Sequence, residues 1–183
     1  PSIGAVLASV SETATFINSQ SSGTSTNYGA DYGWYGGLAE LNPKEMYLLT
    51  MSEPATLTIT GMPVDVGATP IDHIAGWNWI GYLPQNTGDI GEALASVSNL
   101  ATSIVSQSNG YAQNYGVYGW YGGLSDFGLE NTQMYLLDMA EPGTLTINGA
   151  PSDVSTSPID LISGWNWIGY LPQKEGDFGA DTN

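Results

Sequence analysis

The chain has 183 residues, 42% of them apolar, and 18 acidic residues face only two lysines and no arginine, for a formal net charge of −16. Nucleic-acid binding and polybasic membrane anchoring both depend on lysine and arginine, so this balance excludes both. Cysteine is absent, which excludes disulfides and thiolate metal sites, and no apolar run approaches the roughly 18 residues that cross a bilayer, so we expect no membrane insertion.

The sequence contains a long internal repeat. GWNWIGYLPQ occupies residues 76–85 and recurs at 164–173, an offset of 88 that MYLL and TLTI share. YGWYGGL recurs at an offset of 86, which places a two-residue insertion in the loop after it. We therefore predict β-rich repeats at residues 1–87 and 88–175, and the start of a truncated third repeat at 176–183.

In chain order, each copy opens with its only predicted helix. The second copy has apolar residues near helical spacing at Ile90, Ala93, Leu94, Val97 and Ala101. Asp89 stands at the N-cap position with Glu92 three residues later, which is a capping-box arrangement. Ser2 takes the cap position in the first copy.

The rest of each copy is predicted to form strands and turns. A short strand at 103–107 precedes a segment at 111–123 whose glycines favour turns. The apolar run at 134–139 indicates a strand buried on both faces, and 144–147 alternates polar and apolar residues. A strand follows within 159–171, where Trp165 and Trp167 share one face. These elements predict a mainly β fold, α+β by element count, built of tandem β-sandwich or small-barrel repeats with one short helix each.

The strings at 76–84 and 164–172, followed by the I-x-x-A-L helix at 90–94, resemble a family of secreted bacterial surface proteins. Repeats of this family, frequent in Bacteroidetes-type genomes, end in a G-W-N-x-I-G/S-Y-x-P motif after an apolar strand. The resemblance covers both copies and implies extracellular display in multi-module chains, without any catalytic residue. Family members carry Leu where Trp79 and Trp167 stand, which implies core positions for these two.

Six aromatic residues among glycines are candidates for stacking on sugar rings: Tyr32, Trp34, Tyr35, Tyr118, Trp120 and Tyr121. Exposed aromatic patches often mark binding sites. The same rings could instead cover the core or the contact between copies, and we favour this interpretation.

Four acids shared by the two copies are candidates for a calcium site, because calcium takes oxygen ligands from carboxylates and loop carbonyls. They lie in two equivalent loops, at Asp65, Asp72, Asp153 and Asp160. The sequence has no EF-hand or similar calcium motif, so no cofactor is expected beyond this possibility. The single histidine, His73, corresponds to Leu161 in the second copy, which favours a structural role over catalysis or metal binding.

These observations predict a non-catalytic structural or adhesive module of an extracellular, cell-surface tandem-repeat protein or filament. Its expected partners are neighbouring repeats or copies of itself. The alternative function is carbohydrate binding through exposed Tyr and Trp residues. An enzyme is not expected, since histidine-based triads and zinc sites need more than one histidine or cysteine.

Overall fold

A computed structural model of the protein describes residues 2–42, 44–60, 62–63, 65–169 and 173–174. The first copy contains β1 (Ala14–Ser19), β2 (Thr24–Asn27), β3 (Trp34–Gly36), β4 (Tyr47–Met51), β5 (Ala55–Leu57), β6 (Met62–Pro63), β7 (Ile71–His73) and β8 (Gly76–Gly81). The second contains β9 (Ala101–Ser106), β10 (Tyr111–Asn114), β11 (Trp120–Tyr121), β12 (Met134–Met139), β13 (Gly143–Leu145), β14 (Ile159–Leu161), β15 (Gly164–Ile168) and β16 (Gln173–Lys174). The predicted mainly β class is confirmed. The predicted start of a third repeat lies outside the described residues.

Helices in the described residues are few and short. They are α1 (Ile3–Val6) and α2 (Ile90–Ala93), with 3₁₀ turns at Ala8–Val10, Ala95–Val97, Gly116–Tyr118, Gly123–Asp126 and Val154–Thr156. The predicted cap is confirmed, because Asp89 Oδ1 accepts a hydrogen bond from the Glu92 N–H at 3.0 Å. In the part of the chain that the structure describes, no helix has the length and apolar character to cross a membrane.

The predicted helical stripe is too long, because Ala101 lies in β9 and not in the helix. The α-helix gives way to a 3₁₀ turn in which Ser96 bonds to both backbone groups of Thr146, at 2.9 and 3.3 Å. Serine side chains commonly hydrogen-bond to backbone in this way, which favours turns over a continued helix. These bonds join the turn to residue Thr146, and β9 follows the turn.

Two antiparallel five-stranded sheets dominate the molecule. The N-sheet has the strand order β15-β4-β1-β2-β3, and the C-sheet has the order β11-β10-β9-β12-β8. Three two-stranded sheets, β13-β7, β14-β5 and β16-β6, accompany them. Neither large sheet closes on itself within the described residues, so the layers are sandwich-like and not barrels.

Each large sheet takes one edge strand from the other copy. β15 pairs with β4 from Gly164 opposite Met51 to Ile168 opposite Tyr47. β8 pairs with β12 in the equivalent register, from Gly76 opposite Met139 to Gly81 opposite Met134. The division into two domains at residues 1–87 and 88–175 stays a prediction. The two large sheets each contain strands from both of these ranges.

The two hydrophobic cores mix the copies in the same way. The N-core is formed by buried side chains within residues 3–59 together with Met134, Ile159, Leu161 and Ile168. The C-core is formed by buried side chains within 90–147 together with Val66, Ile71, Ile80, Tyr82 and Leu83. Neither core is complete without side chains from the other copy. We call residues 71–81 and 159–168 the exchanged segments.

Candidate functional surfaces

The GWNWIG motif forms the exchanged strands, and its glycines have distinct roles. Gly76 and Gly164 adopt φ values of +86° and +89°, a region that side chains with a Cβ rarely occupy. A Cβ on Gly81 would lie 2.4 Å from the Met46 sulfur, and one on Gly169 would lie 2.6 Å from the Asn131 carbonyl oxygen. The motif therefore begins at a backbone conformation that favours glycine. At Gly169 a Cβ would clash with backbone, whereas at Gly81 it would displace the flexible Met46 side chain.

The motif asparagine closes the turn that leads into each exchanged strand. Asn78 is buried; its Oδ1 accepts a hydrogen bond from the Ile74 N–H at 3.0 Å, and its Nδ2 donates to the Ile74 and Gly76 carbonyls, both at 2.8 Å. Asn166 makes the equivalent bonds to Ile162 and Gly164. The buried amide thus satisfies backbone groups that the turn would otherwise leave unpaired.

A glutamine covers the outer edge of each exchanged strand. Gln20 Nε2 donates to the Trp77 carbonyl at 2.7 Å and Gln20 Oε1 accepts from the Trp79 N–H at 2.7 Å. Gln107 makes the same pair of bonds to Trp165 and Trp167, at 2.8 and 2.7 Å. A side-chain amide therefore occupies the backbone groups to which a further strand would bind.

Two of the four calcium candidates bond to threonines of the other copy. Asp72 Oδ1 accepts from the Thr144 hydroxyl at 2.7 Å, and Asp160 Oδ1 accepts from the Thr56 hydroxyl at 2.9 Å. Both pairs stand directly opposite each other in the small sheets that join the copies. These carboxylates therefore link the exchanged segments to the receiving copy.

The other two acids belong to turns. Asp65 Oδ1 accepts from the Gly67 N–H at 3.1 Å, and the Asp153 carbonyl accepts from the Ser157 hydroxyl at 3.0 Å. Among the described residues no group of three or more acidic, histidine or cysteine side chains could hold a metal ion. Calcium binding by these loops stays a prediction.

The structure separates the six stacking candidates into two groups. Trp34 and Trp120 are partly buried and pack against the N-core and the C-core respectively. The four tyrosines are exposed, with Tyr32 at 71%, Tyr35 at 61%, Tyr118 at 76% and Tyr121 at 59%. Of the predicted set, only the tyrosines present most of their surface to a ligand.

Tyr35 ends a row of side chains that crosses the outer face of the N-sheet. Inward-facing Ile17, Ser25 and Leu49 are buried, so their strand neighbours face outward. Consecutive cross-strand partners form the outward row Tyr35, Thr26, Phe16, Thr50 and Trp165. Phe16 and Trp165 meet edge to face with ring centroids 5.9 Å apart. Four strand spacings make this row roughly 19 Å long.

The C-sheet carries an equivalent row on its outer face. Its cross-strand partners are Tyr121, Gln113, Ser103, Asp138 and Trp77. Aromatic residues again stand at both ends, while the centre is polar. Each exchanged segment supplies the tryptophan of the row on the receiving sheet. We call these two sets the outer rows.

His73 belongs to the exchanged segment of the first copy and lines a cleft between this segment and residues 42 and 44–46. The cleft is lined by residues of both charges, including Lys44, Glu45 and Asp72. His73 itself is buried, and its Nε2 has no hydrogen-bond partner among the described residues. Burial lowers the pKa of His73 against the opposing effects of Asp72 and Asn78. A neutral, enclosed imidazole fits the predicted structural role, which stays a prediction.

Two tyrosines also have pKa values shifted by burial. Burial raises the pKa of Tyr135, whose Oη accepts the Glu130 N–H at 2.7 Å. Burial and then the negative charge of Glu92 raise the pKa of Tyr82. Both phenols are uncharged at neutral pH.

The chain matches no protein-family model, no curated protein and no solved structure. Its function is therefore inferred from its own geometry. Sequence reasoning missed the glutamine caps and the place of Phe16 in the outer row. The pair Ser-Gln recurs at 19–20 and 106–107, and this recurrence was the signal available for the caps.

Proposed function

We propose that the chain is a non-catalytic structural or adhesive module of an extracellular tandem-repeat protein, in which two copies interlock and transmit force. The observation that carries the proposal is the reciprocal exchange of β8 and β15 between the copies. The composition and the resemblance of the motif to surface-protein repeats support the extracellular setting.

The exchange sets the direction in which tension loads the N-sheet. β1 and β15 both pair antiparallel with β4, so they run parallel to each other on its two sides. Tension along the chain pulls β1 from its start and β15 from its end. The two strands are then dragged in opposite directions along their own axes. Because antiparallel hydrogen bonds lie perpendicular to the strands, this shear loads all of them together.

Single-molecule force spectroscopy tests the proposal. The full chain is pulled through its two ends and, in a second experiment, through its C-terminal end and a thiol introduced by Lys44→Cys. The native chain has no cysteine, so the attachment is unique. Lys44 precedes β4, and Tyr47 stands opposite Ile168, so the second geometry opens the β4–β15 pair one bond at a time.

We expect the end-to-end geometry to require a several-fold higher force than the Lys44 geometry at the same pulling speed, since forced unfolding follows the barrier that the load meets. Equal forces in the two geometries would contradict a force-bearing role. Lys44 is exposed, so its replacement is a mild change; equal melting temperatures of the variant and the native chain provide the control.

Carbohydrate binding is a second candidate, favoured by the outer rows. Trp165 is 50% exposed and Tyr35 is 61% exposed, with two threonines and Phe16 between them across an open sheet. Flat rings alternating with hydroxyl groups suit the faces and edges of sugars. The charge of −16 favours neutral over acidic polysaccharides.

A glycan array followed by Tyr35→Ala and Trp165→Ala tests this candidate. We expect each substitution to reduce binding to a neutral glycan at least tenfold, while Ile162→Ala, which removes an exposed apolar side chain outside the rows, leaves it unchanged. A native chain that binds nothing on a broad array excludes the candidate.

A further inference from the structure

We propose that the partner of this chain is a second copy of itself, joined by trading the exchanged segments between molecules. The proposal names the partner of the structural module and rests on that proposed function. The GWNWIG strands are the parts that would be traded, because each already leaves its own copy and completes a sheet of the other.

The two receiving sheets present equivalent sites. Residues 76–81 and 164–169 have the same sequence, and both strands pair in the same register with equivalent strands. Ile80 and Ile168 enter the two cores at equivalent places, as do Ile71 and Ile159. A segment from another molecule therefore buries the same atoms and forms the same backbone hydrogen bonds as the segment of the chain itself.

Simple addition of strands at the sheet edges is a poorer route to assembly. Gln20 and Gln107 occupy the backbone groups of β8 and β15 that a new strand would need. The opposite edges, β3 and β11, are only three and two residues long. Short and covered edges oppose edge-to-edge pairing, which leaves exchange as the favoured contact between copies.

The protein concentration decides whether the exchanged segments pair within one molecule, giving a closed chain, or between molecules, giving linked chains. A tethered segment acts at an effective concentration on the order of millimolar, so an isolated chain closes on itself. Exchange between molecules requires that the segments be released while other copies are near, as during folding at high local density. The contacts that join the two copies of one chain then join copies that belong to different chains.

The test uses the full chain with Thr56→Cys and Asp160→Cys. These residues are exposed and opposite each other across the two copies, with their side-chain oxygens 2.9 Å apart. The reduced protein is unfolded in guanidinium, refolded at low or high concentration, oxidised, and analysed by non-reducing gel and light scattering. A longer, tagged version is refolded together with it to reveal hybrid products.

We expect a disulfide within single chains after dilute refolding, and covalently linked dimers, including hybrids, after concentrated refolding. The control is Asn18→Cys with Thr24→Cys, a pair within the β1–β2 hairpin that should form only intrachain disulfides at every concentration. Asp72→Cys with Thr144→Cys is the equivalent pair of the other small sheet and replaces the first pair if that variant does not fold.

Disulfides that stay within single chains at every refolding concentration overturn the proposal. Linked dimers that form equally from the hairpin pair also overturn it, because they indicate random oxidation. The force experiment uses isolated closed chains, so a chain that resists shear but never links refutes exchange while leaving the structural role intact.

Discussion

At the scale of single residues, the sharpest difference between the copies is His73 against Leu161. Both lie at the same place in an exchanged segment and both are buried, at 6% and 3% exposure. Leu161 belongs to the N-core, whereas the buried Nε2 of His73 has no hydrogen-bond partner among the described residues. An enclosed nitrogen without a partner destabilises a fold relative to an apolar side chain of similar size.

His73→Leu should therefore increase the free energy of unfolding at neutral pH by about 1–3 kcal/mol. The pKa of His73 is below its ordinary value of 6.5, so the unfolded chain binds the proton more readily than the folded one. The native protein accordingly loses stability as the pH falls through 6.5, and the variant should lose less. Denaturant titrations at pH 7.5 and 5.5 measure both effects.

His73 is the only histidine, so the difference between the two pH slopes isolates its contribution. The charged groups near it are Asp72 on its own strand and Lys44 and Glu45 across the cleft, and all three remain in the variant. Identical pH slopes in the two proteins would show that His73 binds its proton equally in the folded and unfolded chain.

At the scale of elements, side chains in the exchanged strands alternate between buried and more exposed positions, and this alternation is visible in the sequence. The prediction that Trp165 and Trp167 share one face is confirmed, since buried Asn166 and Ile168 point to the other face. Trp79 and Trp167 are partly buried and pack against the N-core, while Trp77 and Trp165 are about half exposed. Two tryptophans on one strand face therefore differ in burial, because the second of each pair packs against the N-core while the first is about half exposed.

At the scale of the whole molecule, the two copies depend on each other for stability. Four side chains of the second copy complete the N-core, and five residues of the 66–83 region complete the C-core. The Thr56–Asp160 and Thr144–Asp72 hydrogen bonds add polar links between the same segments. Removing one of these side chains should therefore destabilise the strands of the copy whose core it completes.

Leu161→Ala tests this dependence. Removing a buried leucine side chain should lower the free energy of unfolding by about 2–5 kcal/mol. Although Leu161 is part of the second copy, hydrogen exchange should accelerate most in β1 and β4 of the first, because its side chain lies in the N-core. Hydrogen exchange with mass spectrometry measures the change strand by strand.

Ile162→Ala is the matched control, because the neighbouring side chain is 61% exposed. It should alter neither stability nor exchange appreciably. Faster exchange confined to β9 and β12 of the second copy would contradict the shared core.

The sequence was sufficient for the repeat, the mainly β class, the N-cap at Asp89 and the inward Leu145 and Ile147. Each of these depends on residues close together in the chain: a recurring string, a cap spacing or a period of two. The sequence was wrong about 134–139, which was predicted to be buried on both faces, because Leu136 and Asp138 are only partly buried. The four tyrosines were named as stacking candidates from a local Gly/Tyr/Trp pattern, but the favoured interpretation was that they cover the core or the contact between copies; their exposure is known from the structure. Trp165, which ends one outer row, was predicted to share a strand face with Trp167, but its exposure was not predicted, and no face was predicted for Trp77.

Only the tertiary structure decided which strand each GWNWIG segment joins. An alternating pattern specifies which side chains are buried, but it does not specify the neighbouring strand. Because residues 71–81 and 159–169 differ only at His73/Leu161 and Ala75/Ser163, pairing within a copy and pairing between copies would bury similar apolar side chains of these segments. Hydrophobic burial has no direction of its own, so it does not select one pairing over the other. The path of the chain before and after each GWNWIG strand selects the strand with which it pairs. That path depends on the packing of the whole folded molecule.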